Sequence, residues 1–297
     1  MFIRPIFHII CCSILVFPCY IFAQENESKH VNQTLQPVKH YQVQNRYQYG
    51  ARLLALAFSK LDKPYEIEAP KLQAMNEARG ELEIISGRMD VQWVSTTASR
   101  EIDMIPVKVP LYRGILGLRL LLTIKERSEE LKTISSIEDL RKFVGGHGLH
   151  WGDLPIYQAN NLKVVTHVKY QQLFEMLIHS RFDYFHRGVN EIWDELSLYN
   201  NSLNIVDEVM LFYPHPVYFF VSKHRPDLAV QLEKGLRLAL DDGSFKELFL
   251  SVHGTFLDKA KLDERRLVVL TNPVLPDKSL HLDTSWWLPT KFDSLLK

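Results

Sequence analysis

Strand-like stretches alternate along this chain with stretches at helical spacing, and that alternation restricts the fold more than any single motif. "YQYGARLLALAFSKL" repeats Leu53, Leu54, Ala57, Phe58 and Leu61 along one helix face. "YEIEA" alternates as a strand, "NEARGELEIISG" is predicted helical up to Gly87, and "MDVQWV" is again a strand. The pattern then repeats: "ILGLRLLLTI" is a strand, "SSIEDLRKF" opens with a capping box from Ser135 to Glu138, "KVVTHV" is a strand and "YQQLFEMLIHSR" a helix. "FDYFHRG" and "PVYFFVSK" are further strands. "DLAVQLEKGLRLALDDGSFKELFLSV" is predicted to form two helices broken at Gly243, the second opened by a capping box from Ser244 to Glu247. Alternating strand and helix builds an α/β sheet with helices on its faces. Two such units in succession allow either two separate domains or two lobes that share strands.

Of the 297 residues, 46% are apolar and 24% charged, enough for a substantial core. Residues 1–23 stand apart. Arg4 precedes the apolar run "IFHIICCSILVFPCYIF", and Ala23 gives way to "QENESKH", the layout of a secretory signal peptide cleaved after Ala23 or, alternatively, of an uncleaved anchor. Cys11, Cys12 and Cys19 all fall inside it, so the exported chain is expected to have no disulfide, thiol nucleophile or Cys-ligated metal. Without Arg4 the chain carries 34 basic against 35 acidic residues, a balance that gives no reason to expect nucleic acid as a partner. Residues 24–37 are polar and are expected to be flexible.

One short stretch conflicts with ordinary helix chemistry. In "VSTTASREIDMIP", Thr97 is placed to cap a helix, yet the third helical position holds Arg100 where a capping box calls for Glu or Gln. A cation also opposes the positive end of the helix dipole. Either an anion sits between Arg100 and the free N–H groups, or Arg100 makes a salt bridge to Glu101, Asp103 or a carboxylate elsewhere.

The order of several strings resembles a known family. "SGRMDVQWVSTTASREIDMIPVKVPLY" is similar to a segment in which a "G-x-x-D" strand precedes "T-x-x-R" and a turn, here Pro110 and Leu111. "ISSIEDLRKFVGGHG" and "DDGSFKELF" are similar to its entry to a second lobe and to its closing helical hairpin. Over about residues 40–256 the chain resembles the type II periplasmic solute-binding proteins, in the family 3 group associated with polar amino acid uptake. "GLHWGD", "LFEML", "RFDYFHRG" and "YPHPVYFFVSK" resemble a gammaproteobacterial branch of that family. The resemblance implies a two-lobed α/β fold with a ligand cleft between the lobes. Residues 38–120 and 216–297, with a C-terminal extension, would form lobe 1 and residues 121–215 lobe 2. Crossovers near Leu118–Leu122 and Tyr213–Pro216 would form the hinge.

The resemblance also assigns candidate ligand contacts. In the family the Arg of "T-x-x-R" grips a ligand carboxylate, which maps onto Arg100 with Thr97. Trp93 ends the preceding strand, either at the cleft or in the core. In "GGHGLHWGDLPIY", Gly145, Gly146 and Gly148 would let the backbone turn beside a ligand or simply form a loop. Asp153 would cap the next helix, with His150 and Trp151 facing the cleft. His147 and His150 lack a clear third ligand, and neither metal nor cofactor is expected. "YFHRG" departs from the family by placing Arg187 where amino acid binders carry an Asp, which favours a second anionic group on the ligand. Glu191 would supply the missing carboxylate or neutralise Arg187. His215 is either a contact or a loop residue.

These readings describe a periplasmic, monomeric receptor that passes a small polar, carboxylate-bearing ligand to a membrane transporter or sensor. Signalling would run through a partner protein. The competing readings are a dehydratase-type enzyme using Glu191 or Asp153 near His150, and an envelope interaction protein docking through "ERRLVVLTNPVLPDKSLHLDTSWWLP". No nucleophile elbow, zinc motif or phosphate loop supports catalysis, so no catalytic residue is assigned.

Overall fold

The structure is a computed structural model that describes residues 36–44, 47–69, 75 and 77–276. The expected leader, residues 24–35, Trp286 and Trp287 lie outside the described residues. The segment expected to be flexible ends sooner than residue 37, because β1 (Gln36–Lys39) already pairs in parallel with β2 (Tyr65–Glu68) across α1 (Gln48–Ser59). The chain continues through α2 (Glu77–Ile85), β3 (Val91–Ser95), α3 (Ala98–Asp103) and β4 (Ile105–Val107). Asp90, the acid of the "G-x-x-D" string, accepts from Lys39 N at 2.7 Å and so fastens β1 beside the start of β3.

A second body follows: β5 (Leu118–Ile124), α4 (Ser128–Leu131), α5 (Ile137–Leu140), β6 (Val144–Gly148), α6 (Leu154–Ala159), β7 (Lys163–His167), α7 (Tyr170–Ile178), β8 (Tyr184–Gly188), α8 (Ile192–Tyr199), β9 (Leu203–Ile205) and β10 (Val209–Phe212). Its seven-stranded sheet runs β12-β10-β5-β8-β6-β7, with β9 also on β5, where β12 is Arg266–Val269. Leu120, Leu121 and Leu122 are all fully buried, which is why the first strand of this lobe reads as an unbroken apolar run with both faces covered. The chain returns through β11 (Val217–Val221), which pairs antiparallel with both β3 and β4, and then through α9 (Pro226–Asp241) and α10 (Ser244–Ala260). No helix among the described residues is long and apolar enough to cross a membrane.

Two capping expectations need correction. At α5 the cap lies one residue later than expected: Ser136 Oγ accepts from Asp139 N at 3.1 Å, and the Asp139 carboxylate accepts from Ser135 N at 3.2 Å. Asp reaches back across the same turn that Glu was expected to span. At α10 no capping box forms, because Gly243 is the cap at φ +82° and Ser244 Oγ donates to Asp242 at 2.6 Å instead.

The return to lobe 1 is also incomplete. Residues 216–297 were all expected there, but β12 leaves α10 and pairs in parallel with β10. The outer edge of β10 offers unpaired N–H and C=O groups, and "RLVVL" is apolar and partly β-branched, so it fits as an edge strand that buries Val268 and Leu270. Arg265, at its entry, donates to the carbonyls of Val206 and Val209 at 2.7 and 3.3 Å. Beyond it, Asn160 of lobe 2 exchanges two hydrogen bonds with the Thr271 backbone, and Asn272 Nδ2 donates to Pro214 O at 2.8 Å.

The two crossovers touch through backbone. Tyr213 N donates to Gly117 O at 3.2 Å, and a Cβ at Gly117 would stand 1.9 Å from Tyr213 O. Only glycine allows the crossovers to approach this closely.

Candidate functional site

A cavity of about 710 Å³ opens between the lobes. Lobe 1 lines it with Glu77 of α2, Ser95 and Thr96 at the end of β3, and Thr97 and Arg100 at the start of α3. Lobe 2 supplies His150, Trp151, Asp153, Tyr170, Arg187 and Glu191, and the two crossovers add Arg119 and His215. Six of the seven expected contacts, Thr97, Arg100, His150, Trp151, Arg187 and Glu191, are thus brought to one cavity.

Trp93 is the exception. It is only 2% exposed, lies against His40, Tyr47 and Phe219, and packs so closely on α1 that a Cβ at Gly50 would meet its indole at 2.3 Å. β3 pairs with the fully buried β11, with Trp93 opposite Phe219, so its side chain joins the core of lobe 1.

Thr97 does cap α3: its Oγ1 accepts from Arg100 N at 3.3 Å. Arg100 turns away from the helix start. Its Nε donates to Glu81 at 2.8 Å, its Nη1 to Ser95 O at 2.6 Å, and its Nη2 pairs with both Glu77 and Glu81 of α2. The cation that conflicts with its own helix dipole is therefore held by two carboxylates from the preceding helix, and all three of its nitrogens are engaged.

Arg187 sits deeper, at 6% exposure. Glu195 takes its Nε with both oxygens, at 2.8 and 3.0 Å, and Glu191 takes Nη2 at 2.9 Å. The rings of Trp151, Tyr170 and Phe185 lie about its guanidinium at 4.9, 5.3 and 5.2 Å. The expectation that Arg187 calls for a second anionic group on the ligand is corrected by this arrangement, because two acids of its own lobe already balance it. The glycines after Val144 also do something other than expected. A Cβ at Gly145, Gly146 or Gly148 would collide with the ring of Tyr184, Phe182 or Trp151 respectively, so they make room for aromatic packing within lobe 2.

The centre that sequence reasoning missed is Arg119. It begins β5 on the first crossover, and its Nε donates to Tyr213 Oη on the second crossover at 2.6 Å. Its Nη2 donates to Asp153 at 3.0 Å, and Tyr213 Oη donates to the same carboxylate oxygen at 2.6 Å. His147 Nε2 approaches the other oxygen of Asp153 at 3.3 Å. Asp153 therefore does not cap α6 with its side chain. Burial pushes its carboxyl up, but the Arg119 charge and His147 outweigh that and hold it well below the ordinary carboxylate range. A carboxylate fixed in this way is a hydrogen-bond acceptor and not a proton donor. The only sign of this triangle in the sequence was an isolated Arg inside an apolar strand, since its partners lie 34 and 94 residues away.

His215 lies across the second crossover and shares a 2.8 Å hydrogen bond with Ser95 Oγ of lobe 1. Burial lowers its pKa to about 4, so the imidazole is neutral at ordinary pH. Behind the cavity, His186 and His147 are fully buried, with the Tyr157 ring stacked on His186 at 4.1 Å. Burial keeps His186 well below its usual value.

No family model matches the sequence, and no curated protein matches it by sequence. Solved structures do match its shape. The probable amino-acid ABC transporter extracellular-binding protein ytmK from Bacillus subtilis has a TM-score of 0.56 at 17% identity, over 74% of this chain and 98% of that one. A structure described for glutathione import via GshT and the cystine ABC importer TcyBC of Streptococcus mutans gives a TM-score of 0.52 at 14% identity, covering 74% and 95%. A double mutant of the BvgS VFT2 domain of Bordetella pertussis gives 0.51 at 15%, covering 73% and 92%. Identities this low establish the fold alone. It is the two-lobed α/β architecture of the type II periplasmic binding proteins.

Proposed function

We propose that this chain is an exported solute-binding protein that takes a small polar, carboxylate-bearing ligand of amino acid type into its interlobe cleft and presents it to a membrane transporter or sensor. The observation that carries this reading is the cleft itself: an open cavity of about 710 Å³ lined by charged and hydrogen-bonding side chains from both lobes and both crossovers. The shape likeness to a probable amino-acid ABC transporter extracellular-binding protein supports the same class of role. The leader-like first 23 residues support a periplasmic location.

A thermal-shift screen of the purified protein against amino acids, dicarboxylates, phosphorylated metabolites and polyamines tests it. A ligand that binds only the folded state raises the midpoint by mass action, by the equivalent of about 2.7 kcal/mol at a hundredfold excess over Kd. A rise with amino acids and with no other class is the expected outcome. A flat response to all four classes defeats the reading.

A further inference from the structure

A second cavity, of about 430 Å³, lies outside the cleft and shares no lining residue with it. Lobe 2 gives it an apolar side, with Trp193 of α8 and Ile205 at the end of β9. The path from α10 to β12 forms the other side and brings Lys259, Lys261 and Arg265. Arg265 is the unusual member. Its side chain is only 5% exposed, and its Nε donates to Ala260 O and its Nη1 to Val206 O, each at 2.7 Å. Nη2 makes no hydrogen bond: Asp207, the one carboxylate within 4 Å of it among the described residues, stands off at 3.9 Å. The enclosed arginines of the cleft, Arg119 and Arg187, each hold a carboxylate at 3.0 Å or less, as a buried charge normally does. Lys259 has no ion pair among the described residues, and its ammonium lies over the Trp193 ring at 5.9 Å. Lys261 is already neutralised by Glu264 at 3.2 Å. The acids of the cavity, Asp207, Glu208 and Glu264, are each more than half exposed, so water and salt screen them at its rim. Two cations of one cavity, Arg265 and Lys259, therefore lack a hydrogen-bonded counter-ion.

From this geometry we infer that the cavity is a second binding site, built for a phosphate monoester: the phosphate accepts from Arg265 Nη2 and the Lys259 ammonium, and the organic body lies against Trp193 and Ile205. Two uncompensated positive charges match a head group with two negative ones, and a phosphate monoester is close to a dianion above its second pKa of about 6. Each contact would be a charge-assisted hydrogen bond, the stronger kind. A cavity of about 430 Å³ falls in the range that holds small organic molecules and leaves room beyond the head group for a body on the apolar side. Lys259 belongs to α10 of lobe 1, whereas Trp193 and Ile205 belong to lobe 2, so the bound molecule would join the lobes away from the cleft. The site stands independently of what the cleft binds.

The test is calorimetric titration of the full purified protein, at low ionic strength and a pH well above 6, with phenyl phosphate, inorganic phosphate and acetate. Phenyl phosphate should bind most tightly, inorganic phosphate more weakly and acetate not at all. Lys259→Gln should weaken phenyl phosphate by about two- to fivefold, and Asp207→Asn, which removes the acid standing opposite Nη2, should strengthen it by a similar factor. Arg265→Lys should weaken it by between about 10- and 150-fold, the range for losing one charged hydrogen bond. Arg265 is enclosed and its variant can fail to fold; Lys259→Gln and Asp207→Asn alter exposed side chains and read the same site with opposite signs. Phenyl phosphate binding that neither of these two variants changes lies elsewhere on the protein and overturns the assignment. Inorganic phosphate bound as tightly as phenyl phosphate overturns the monoester, and acetate bound as tightly overturns the dianion. A wild-type protein that binds none of the three overturns the site.

Discussion

Arg100 and Arg119 reach the same cleft from opposite lobes, and their surroundings could hardly differ more. The partners of Arg100 lie 19 and 23 residues away on one neighbouring helix, and Glu77 is half exposed. The partners of Arg119 come from a loop 34 residues away and from a crossover 94 residues away, and Asp153 and Tyr213 are buried. The first cluster is a local surface arrangement beside a motif. The second fastens the two crossovers to lobe 2 and exists only once the whole topology has formed. A motif marks where a cation stands, whereas its partners decide whether that cation is available.

The widest separation between the two clusters should come from removing one acid from each. Asp153→Ala leaves Arg119 as a buried charge without its main partner and should cost about 3–5 kcal/mol, against less than about 1 kcal/mol for Glu77→Ala, whose loss Glu81 and water can cover. Urea denaturation of the two variants measures the gap, and equal costs would erase the contrast. Next in size is Gly117→Ala, which must push the two crossovers apart. A loss of about 1–3 kcal/mol is expected, as for other insertions into packed structure.

Acid should sharpen the comparison further. The imidazoles of His215 and His253 are lowered by burial to about 4, and His186 is held well below 6.5. Between about pH 6.5 and 4 the unfolded chain takes up protons that the folded chain refuses, so stability falls as pH falls through that window. Melting curves from pH 7.5 to 4.5 should show this, with a shallower slope for His253→Gln. A pH-independent midpoint would mean that these rings are not closed off from solvent. The smallest effect is Arg100→Ala, expected to cost about 0–1 kcal/mol by chemical denaturation.

Much of this molecule was legible in advance. Apolar strand-like runs located β3, β5, β7, β8 and β11, of which β5, β8 and β11 are buried on both faces over most of their length, and helical spacing located the α9–α10 pair. Six of the residues expected to contact a ligand line one cavity, because most of them stand at strand ends and helix starts, where an α/β fold opens its crevices. What could not be read were relations between distant residues. Trp93 follows the same strand pattern whether it points to the cleft or to Phe219, and only the pairing with β11 decides. Arg119 looked like a lone charge in "LRLLL" until Tyr213 and Asp153 folded against it. β12 reads as a tail unless the bare edge of β10 is known to lie beside it.

That last strand bears on how the lobes can swing. Both crossovers meet the large sheet at the Leu118–Phe212 end, whereas the chain coming down from α10 enters at the opposite end, where Arg266 faces Val209. The entry point is set off from the hinge line by roughly the length of β10, about 10 Å at 3.3 Å per residue. Like the stay on a box lid, such an off-axis link does not guide the rotation but sets its limit. Any opening has to be taken up in residues 261–265, where Lys261 sits at φ +47° and the side chain of Arg265 is tied to lobe 2. Glycines inserted between Lys261 and Arg265 would widen the opening if this short link, and not the softness of the crossovers, sets the limit.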